Sequence, residues 1–128
     1  AGLDWRRLGV ILDAREGLIY AATFDRAGQR IVATGPEGVM TPAEYLAAAG
    51  DGVRLIGEGL TYHQMPRDLI LAPEALDEPP HLPQAGFVWR VGRRLAAAGQ
   101  FTDACRLEPI YCRKPEAVRA WQRKHGAP

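Results

Sequence analysis

The stretch Leu8-Gly9-Val10-Ile11-Leu12-Asp13-Ala14-Arg15-Glu16-Gly17-Leu18-Ile19-Tyr20-Ala21-Ala22-Thr23-Phe24 decides the fold. Two continuous apolar runs, 8–12 and 18–24, are rich in β-branched and aromatic residues and read as buried strands. Between them Asp13-Ala14-Arg15-Glu16-Gly17 is short and ends in glycine, which tolerates positive φ, so the runs close as a hairpin. Asp25-Arg26-Ala27-Gly28-Gln29 makes a second turn into Arg30-Ile31-Val32-Ala33-Thr34, whose stronger alternation predicts one face toward water. Three antiparallel strands follow from these residues alone.

Downstream, Thr41-Pro42-Ala43-Glu44 places a hydroxyl at the N-cap, proline at the first helical position and a glutamate three residues on, which together satisfy free amides at a helix start. The helix runs to about Ala49 and is stopped by Gly50-Asp51-Gly52. Val53–Gly57 then returns to the sheet as a strand, and Leu69-Ile70-Leu71 is a further short candidate. The stretch 72–82, with three prolines, reads as a surface loop. Pro83 opens the most amphipathic helix, with Phe87, Val88, Val91 and Leu95 on one stripe and Gly99 ending it. Leu107–Cys112 is extended by Pro109, and a last helix spans 115–124 with Val118 and Trp121 on one side. Two hairpins, a helix, a strand and more helix is the element order of one half of the ribonuclease H-like fold of actin-like ATPases. The expected class is α/β, a mixed sheet with antiparallel hairpins and flanking helices in one domain spanning 1–128.

Composition narrows function. The 128 residues are 47% apolar, ample for one core. Sixteen Lys and Arg against fifteen Asp and Glu give a net charge of +1, so total charge does not nominate a nucleic-acid binder. Cys105 and Cys112 lack a CxxC or Cys/His pattern and read as free thiols; with no secretory or spanning stretch, a reducing cytoplasm and no membrane are expected.

Catalytic patterns are sparse. Serine is absent, which removes the commonest hydroxyl nucleophile. His63, His81 and His125 lie on separate elements without metal-binding spacing, and each reads as a surface or loop histidine. Gly57-Glu58-Gly59 follows a strand, but Tyr62 stands where a dinucleotide fingerprint needs its third glycine, so a plain turn is expected. The corner 13–17 has one glycine and an acidic Glu16, which disfavours a phosphate cradle and predicts a hairpin fixed by Asp13 and Gly17. No catalytic residue, cofactor or metal site is assigned. Arg90, Arg93 and Arg94 on one helix and Arg119 and Arg123 on the last concentrate positive charge, a solvated face or a contact for an acidic partner or tRNA.

The segment Val10 to Tyr20, with Asp13, Ala14, Arg15, Gly17 and Tyr20, resembles the TsaB (YeaZ) family where its second domain opens. Gly57 and Gly59 in Leu55–Gly59 look like that family's strand-to-Gly-x-Gly segment, and Leu82-Pro83 before an apolar helix is similar as well. Pro109, Tyr111 and Arg113 resemble its closing Pro-x-Tyr-Leu-Arg, with Cys112 in place of leucine. The resemblance spans nearly the whole chain and implies the C-terminal part of such a protein, without the first domain and its Gly-Pro-Gly loop. The opening at Ala1, close before a strand, agrees with a piece of a longer chain.

By the same resemblance the chain is a non-catalytic subunit of the apparatus that adds threonylcarbamoyl to adenosine 37 of tRNA. It is expected to partner TsaD-like and TsaE-like proteins and to meet tRNA through the complex; a homodimer is a further expectation, although the resemblance puts most of the family's dimer and TsaD surface on the missing first domain. Three alternatives stand beside this: an ATP-using TsaD-like transferase, a homologue of the glycoprotease or M22-like peptidase kind, and an RNA-binding module.

Overall fold

A computed structural model describes residues 4–71, 84–109, 111–112 and 114–126. These fall into two compact units, Ala1–Leu82 and Pro83–Pro128. The proline-rich stretch 72–82, with His81 and Leu82-Pro83, lies outside the described residues, as does Arg113.

The first unit holds strands β1 (Arg7–Asp13), β2 (Ile19–Ala27), β3 (Arg30–Met40) and β4 (Val53–Ile56), with helix α1 (Pro42–Ala49) between β3 and β4. The sheet order is β3-β2-β1-β4. β1 pairs β2 and β2 pairs β3 antiparallel, whereas β4 returns beside β1 in parallel, with Gly9 opposite Leu55. This α/β mixed sheet has the hairpin-hairpin-helix-strand order that the sequence predicts.

The two apolar runs prove buried on one face only. Ile11, Ile19, Ala21, Val53 and Leu55 point to one side and pack with Tyr45 and Ala49 of α1. Leu8, Val10, Leu12, Tyr20, Ala22 and Phe24, on the alternate positions, are half-buried. At about 1.5–3 kcal/mol for each fully buried large apolar side chain, the first set dominates the stability of the unit.

The third strand is longer than the sequence suggests. It continues through Gly35, Pro36 and Gly38 to Met40, with a register shift between Ala22 and Phe24. The run expected from sequence ends at Thr34; its continuation is possible because β3 is an edge strand, where a bulge and a proline are both accommodated. Conversely, Leu69–Leu71 is no strand. Ile70 makes a single parallel bridge to Leu55 after a one-turn 3-10 helix, Arg67–Leu69, and the Arg54 guanidinium donates to the carbonyls of Asp68 and Ile70 at 3.0 and 3.1 Å.

α1 begins as predicted. Glu44 N–H donates to Thr41 Oγ1 at 3.2 Å, and Thr41 N–H donates to Glu44 Oε2 at 2.8 Å, a complete capping box. Arg7 ties the far end: its guanidinium makes a two-point pair with Asp25 at 2.8 and 3.0 Å and donates to the Ala49 carbonyl at 3.1 Å. Thus β1, β2 and the last turn of α1 share one side chain. Tyr45 is fully buried, and its hydroxyl lies 2.9 Å from Thr23 Oγ1, which donates to the Pro36 carbonyl at 3.3 Å. Thr23 has one proton to give, so Tyr45 donates to Thr23.

In the second unit, α2 (Ala85–Ala97) and α3 (Glu116–His125) flank a short 3-10 turn, Ala104–Arg106. Pro109, Tyr111 and the free thiol Cys112 lie in irregular, exposed chain before α3, and the exposed free thiol Cys105 is in the 3-10 turn.

Gly9 explains why α1 can sit so close to β1. A Cβ on Gly9 would collide with the Tyr45 hydroxyl. We expect Gly9→Ala to lower stability by about 1–3 kcal/mol in denaturant melts, as overpacking does. In the Tyr45→Phe background the same change should cost distinctly less, because the colliding oxygen is gone; equal costs in both backgrounds would refute this contact as the cause.

Candidate functional site

The parallel pairing of β4 with β1 puts the C-terminal ends of both strands at one end of the sheet. Asp13 closes β1 there, and the chain leaving β4 at Gly57 crosses over it as a 3-10 turn, Glu58–Thr61. The crossing is tight. Gly57 has φ 117°, and a Cβ on it would run into the Ile11 carbonyl, while one on Gly59 would meet the backbone of Leu12. Both glycines are therefore required for close approach of two backbones, a fuller reason than the plain turn expected from sequence.

The corner itself is a hairpin turn with unusual backbone. Leu18 N–H donates to the Arg15 carbonyl at 3.0 Å, and the two central residues, Glu16 and Gly17, have φ of 54° and 75°. Positive φ at both positions makes this a primed turn, which matches the twist of a hairpin. Arg15 has φ 62° as well, so two successive non-glycine residues occupy the left-handed region. Asp13 offsets part of that cost: its Oδ1 accepts from Arg15 N–H at 3.0 Å. Ala14 is buried beneath the turn.

The same carboxylate reaches His63, whose Nε2 lies 2.9 Å from Asp13 Oδ1. His63 lies in the loop after β4, in keeping with one of the two sequence readings, but its side chain is only 9% exposed, so the surface reading is corrected. His63 joins the hairpin corner to the chain after β4. The third connection is Glu58, whose Oε1 accepts from Asp13 N–H at 3.0 Å. The bond from His63, then that from Arg15 N–H, holds the Asp13 carboxyl below its ordinary value. Over this corner lies an open depression of about 540 Å³ lined by Asp13, Arg15, Glu16, Gly17, Tyr62 and His63.

Asp13, Ala14, Arg15, Gly17, Gly57 and Gly59, singled out in two separate sequence segments, thus meet at one point. Tyr20 stands apart on the half-buried face, paired with Leu12 and Val39. Pro109 and Tyr111 belong to the second unit. His63 and Glu58 were not marked by any spacing motif. Their signal was topological: residues following two adjacent parallel strands converge, so an acid ending β1 and a histidine shortly after β4 become neighbours.

The two basic clusters also separate. On α3, Arg119 and Arg123 both pair with Glu116, at 3.2 and 2.6 Å, and His125 stacks on Trp121. On α2, Arg93 lies over the Trp89 ring at 4.8 Å and Arg90 over Phe87 at 5.3 Å. Among the described residues no group of three or more His, Cys, Asp or Glu side chains could hold a metal, and no helix is long and apolar enough to cross a membrane.

No protein-family model matches the chain, and a search of curated proteins finds no match either. Among solved structures it is similar to the crystal structure of an uncharacterized protein with similarity to peptidase YeaZ, from Pseudomonas aeruginosa, at 23% identity with a TM-score of 0.56. The chain has a YeaZ-like fold. The match takes in 85% of this chain and 50% of the other, so the chain spans about half the length of that YeaZ-like neighbour. This is consistent with the ribonuclease H-like fold expected from sequence.

The Asp13 carboxylate links pH to the integrity of the corner. Its folded-state value lies below the ordinary 3.8, so its contribution is fully present above that value and is lost as pH falls through the lower, folded one. Asp13→Asn should therefore be less stable than the parent above about pH 5, and the difference should shrink steadily toward pH 3 in acid-dependent melts. A difference that stays constant over that range would exclude the ionised pair as its source.

Proposed function

We propose that this chain forms the second-domain half of a TsaB-like, non-catalytic scaffold subunit serving tRNA threonylcarbamoyladenosine modification at adenosine 37, with TsaD-like and TsaE-like partners. The observation that carries this reading is the corner at residues 13–17. In an actin-like nucleotide site this position would present free backbone N–H groups to phosphate oxygens. Here Arg15 N–H is taken by Asp13, Asp13 N–H by Glu58, and Leu18 N–H by Arg15. Three carboxylates, Asp13, Glu16 and Glu58, stand about the turn, and each would repel a polyphosphate. The YeaZ-like fold supports the same reading. A subunit whose phosphate corner is closed in this way contributes surface and rigidity, and the transfer chemistry belongs to its partner.

One observation favours a catalytic rival of the peptidase-like or TsaD-like kind. The Asp13–His63 pair borders an open depression, and a carboxylate that orients an imidazole is a general-base arrangement. Glu58 and the strained turn give the pair a structural purpose that needs no substrate.

Calorimetry decides the nucleotide question: titration of magnesium ATP into the chain should give no binding heat, and micromolar affinity overturns the scaffold reading. In a reconstituted modification reaction, Asp13→Asn and His63→Gln should reduce product only as far as they reduce the amount of folded, complexed subunit. Turnover falling 100-fold or more, on the order expected for loss of a general base, with the complex intact would establish the rival instead.

A further inference from the structure

We propose that the Trp89–Arg93 side of α2 is a contact surface for single-stranded RNA. The choice of RNA over DNA rests on the proposed function; the contact itself rests on α2 alone.

Net charge hides this surface, because the two arginine clusters differ in how they are used. Arg119 and Arg123 on α3 share the single carboxylate of Glu116, which offsets one of their two charges and fixes both side chains. The segment 84–97 contains no acidic residue, and Arg90, Arg93 and Arg94 have no ion pair among the described residues. Three cations therefore stand uncompensated within about a turn and a half of helix. A polyanion is the complementary partner.

The geometry selects among polyanions. Phe87, Val88, Val91 and Leu95 form the apolar stripe, and they border a groove of about 440 Å³ with Gly92. A second groove of about 310 Å³ is lined by Trp89, Arg90, Arg93, Arg94 and Ala97. At about 100° per residue, Trp89 lies roughly 145° around the helix from the centre of the apolar stripe. A helix lying on an anionic bilayer would carry its aromatic anchor with the apolar residues and its arginines opposite. Phe87 on the stripe fits that pattern, but the Trp89 indole does not: it is on the arginine side, 62% exposed, with the Arg93 guanidinium 4.8 Å above its ring. The carboxylates of an acidic peptide helix would satisfy the arginines but give the indole nothing planar to stack on. A nucleic-acid strand has both a repeating phosphate and planar bases, and stacked aromatic and guanidinium planes between cations are how single strands are held without sequence preference.

The test uses the full chain alone, without partner proteins, so its failure leaves the scaffold reading standing and a failed reconstitution leaves this one standing. A labelled single-stranded RNA of mixed sequence is titrated by fluorescence anisotropy across a salt series. Arg90→Gln/Arg93→Gln/Arg94→Gln should weaken binding at least tenfold and make the log–log salt slope shallower by about 2, as three lost phosphate contacts require. Trp89→Leu should weaken binding several-fold and leave the slope unchanged, since stacking carries no counterion term. Arg119→Gln/Arg123→Gln should change affinity less than twofold. Circular dichroism checks that each variant is folded, and Arg93→Lys, which keeps the charge but not the planar group, provides a milder arm expected to preserve the slope. The proposal is overturned if the triple variant binds RNA like the parent, if the α3 variant loses binding instead, or if phosphatidylserine vesicles or polyglutamate bind and RNA does not.

Discussion

Laying β4 parallel to β1 forces everything that gives this chain a distinctive end. An antiparallel return would have sent the chain after β4 away from Asp13; the parallel one delivers Gly57, Glu58 and His63 to it. Close crossing then demands residues without side chains at the two points where backbones touch, which Gly57 and Gly59 supply. The crossing in turn brings a carboxylate to Asp13 N–H and an imidazole to its side chain, so the polar groups that the strand end would otherwise leave open are satisfied. A turn with two left-handed non-glycine residues can persist because these bonds hold it from both sides.

That constraint reaches α1 through β1. Gly9 sits opposite Leu55 in the register that parallel pairing sets, and its missing side chain makes room for the Tyr45 hydroxyl. The buried hydroxyl finds its acceptor on Thr23 of β2, and Thr23 passes a hydrogen bond to Pro36 in the bulged part of β3. A single polar chain thus runs from the helix across two strands inside an otherwise apolar core. Burial pushes the Tyr45 hydroxyl up, which keeps it in the neutral, donating form that this chain requires.

Local chemistry was legible in the sequence wherever one residue type answers one local demand. The capping box at Thr41 and Glu44, the glycine closing the 13–17 turn, and the apolar runs of β1 and β2 each carry their own signal, and the structure places them as read. Legibility failed where the decisive neighbour is distant in the chain. β3 was read short because edge position, which excuses Pro36, is a property of the whole sheet. Leu69–Leu71 reads as a strand because its residues suit one, yet Arg54 takes the Ile70 carbonyl and that of Asp68 just before the segment, and one bridge remains. His63 is a loop residue whose burial the sequence does not reveal, because nothing within five positions of it says that Asp13 is its partner.

The arginines show the same limit in electrostatic form. A count of charges treats Arg90 and Arg123 alike, and the sequence places both on helices rich in basic residues. What separates them is whether a carboxylate lies one or two helical turns away on the same side. Glu116 does so for Arg119 and Arg123 and converts their charge into helix-stabilising pairs. α2 has no such residue, and the guanidinium groups of Arg90 and Arg93 rest over aromatic rings, which attract a cation without cancelling it. The field outside α2 therefore stays positive even though the chain as a whole is nearly neutral, and local pairing rather than composition determines where an anion is drawn.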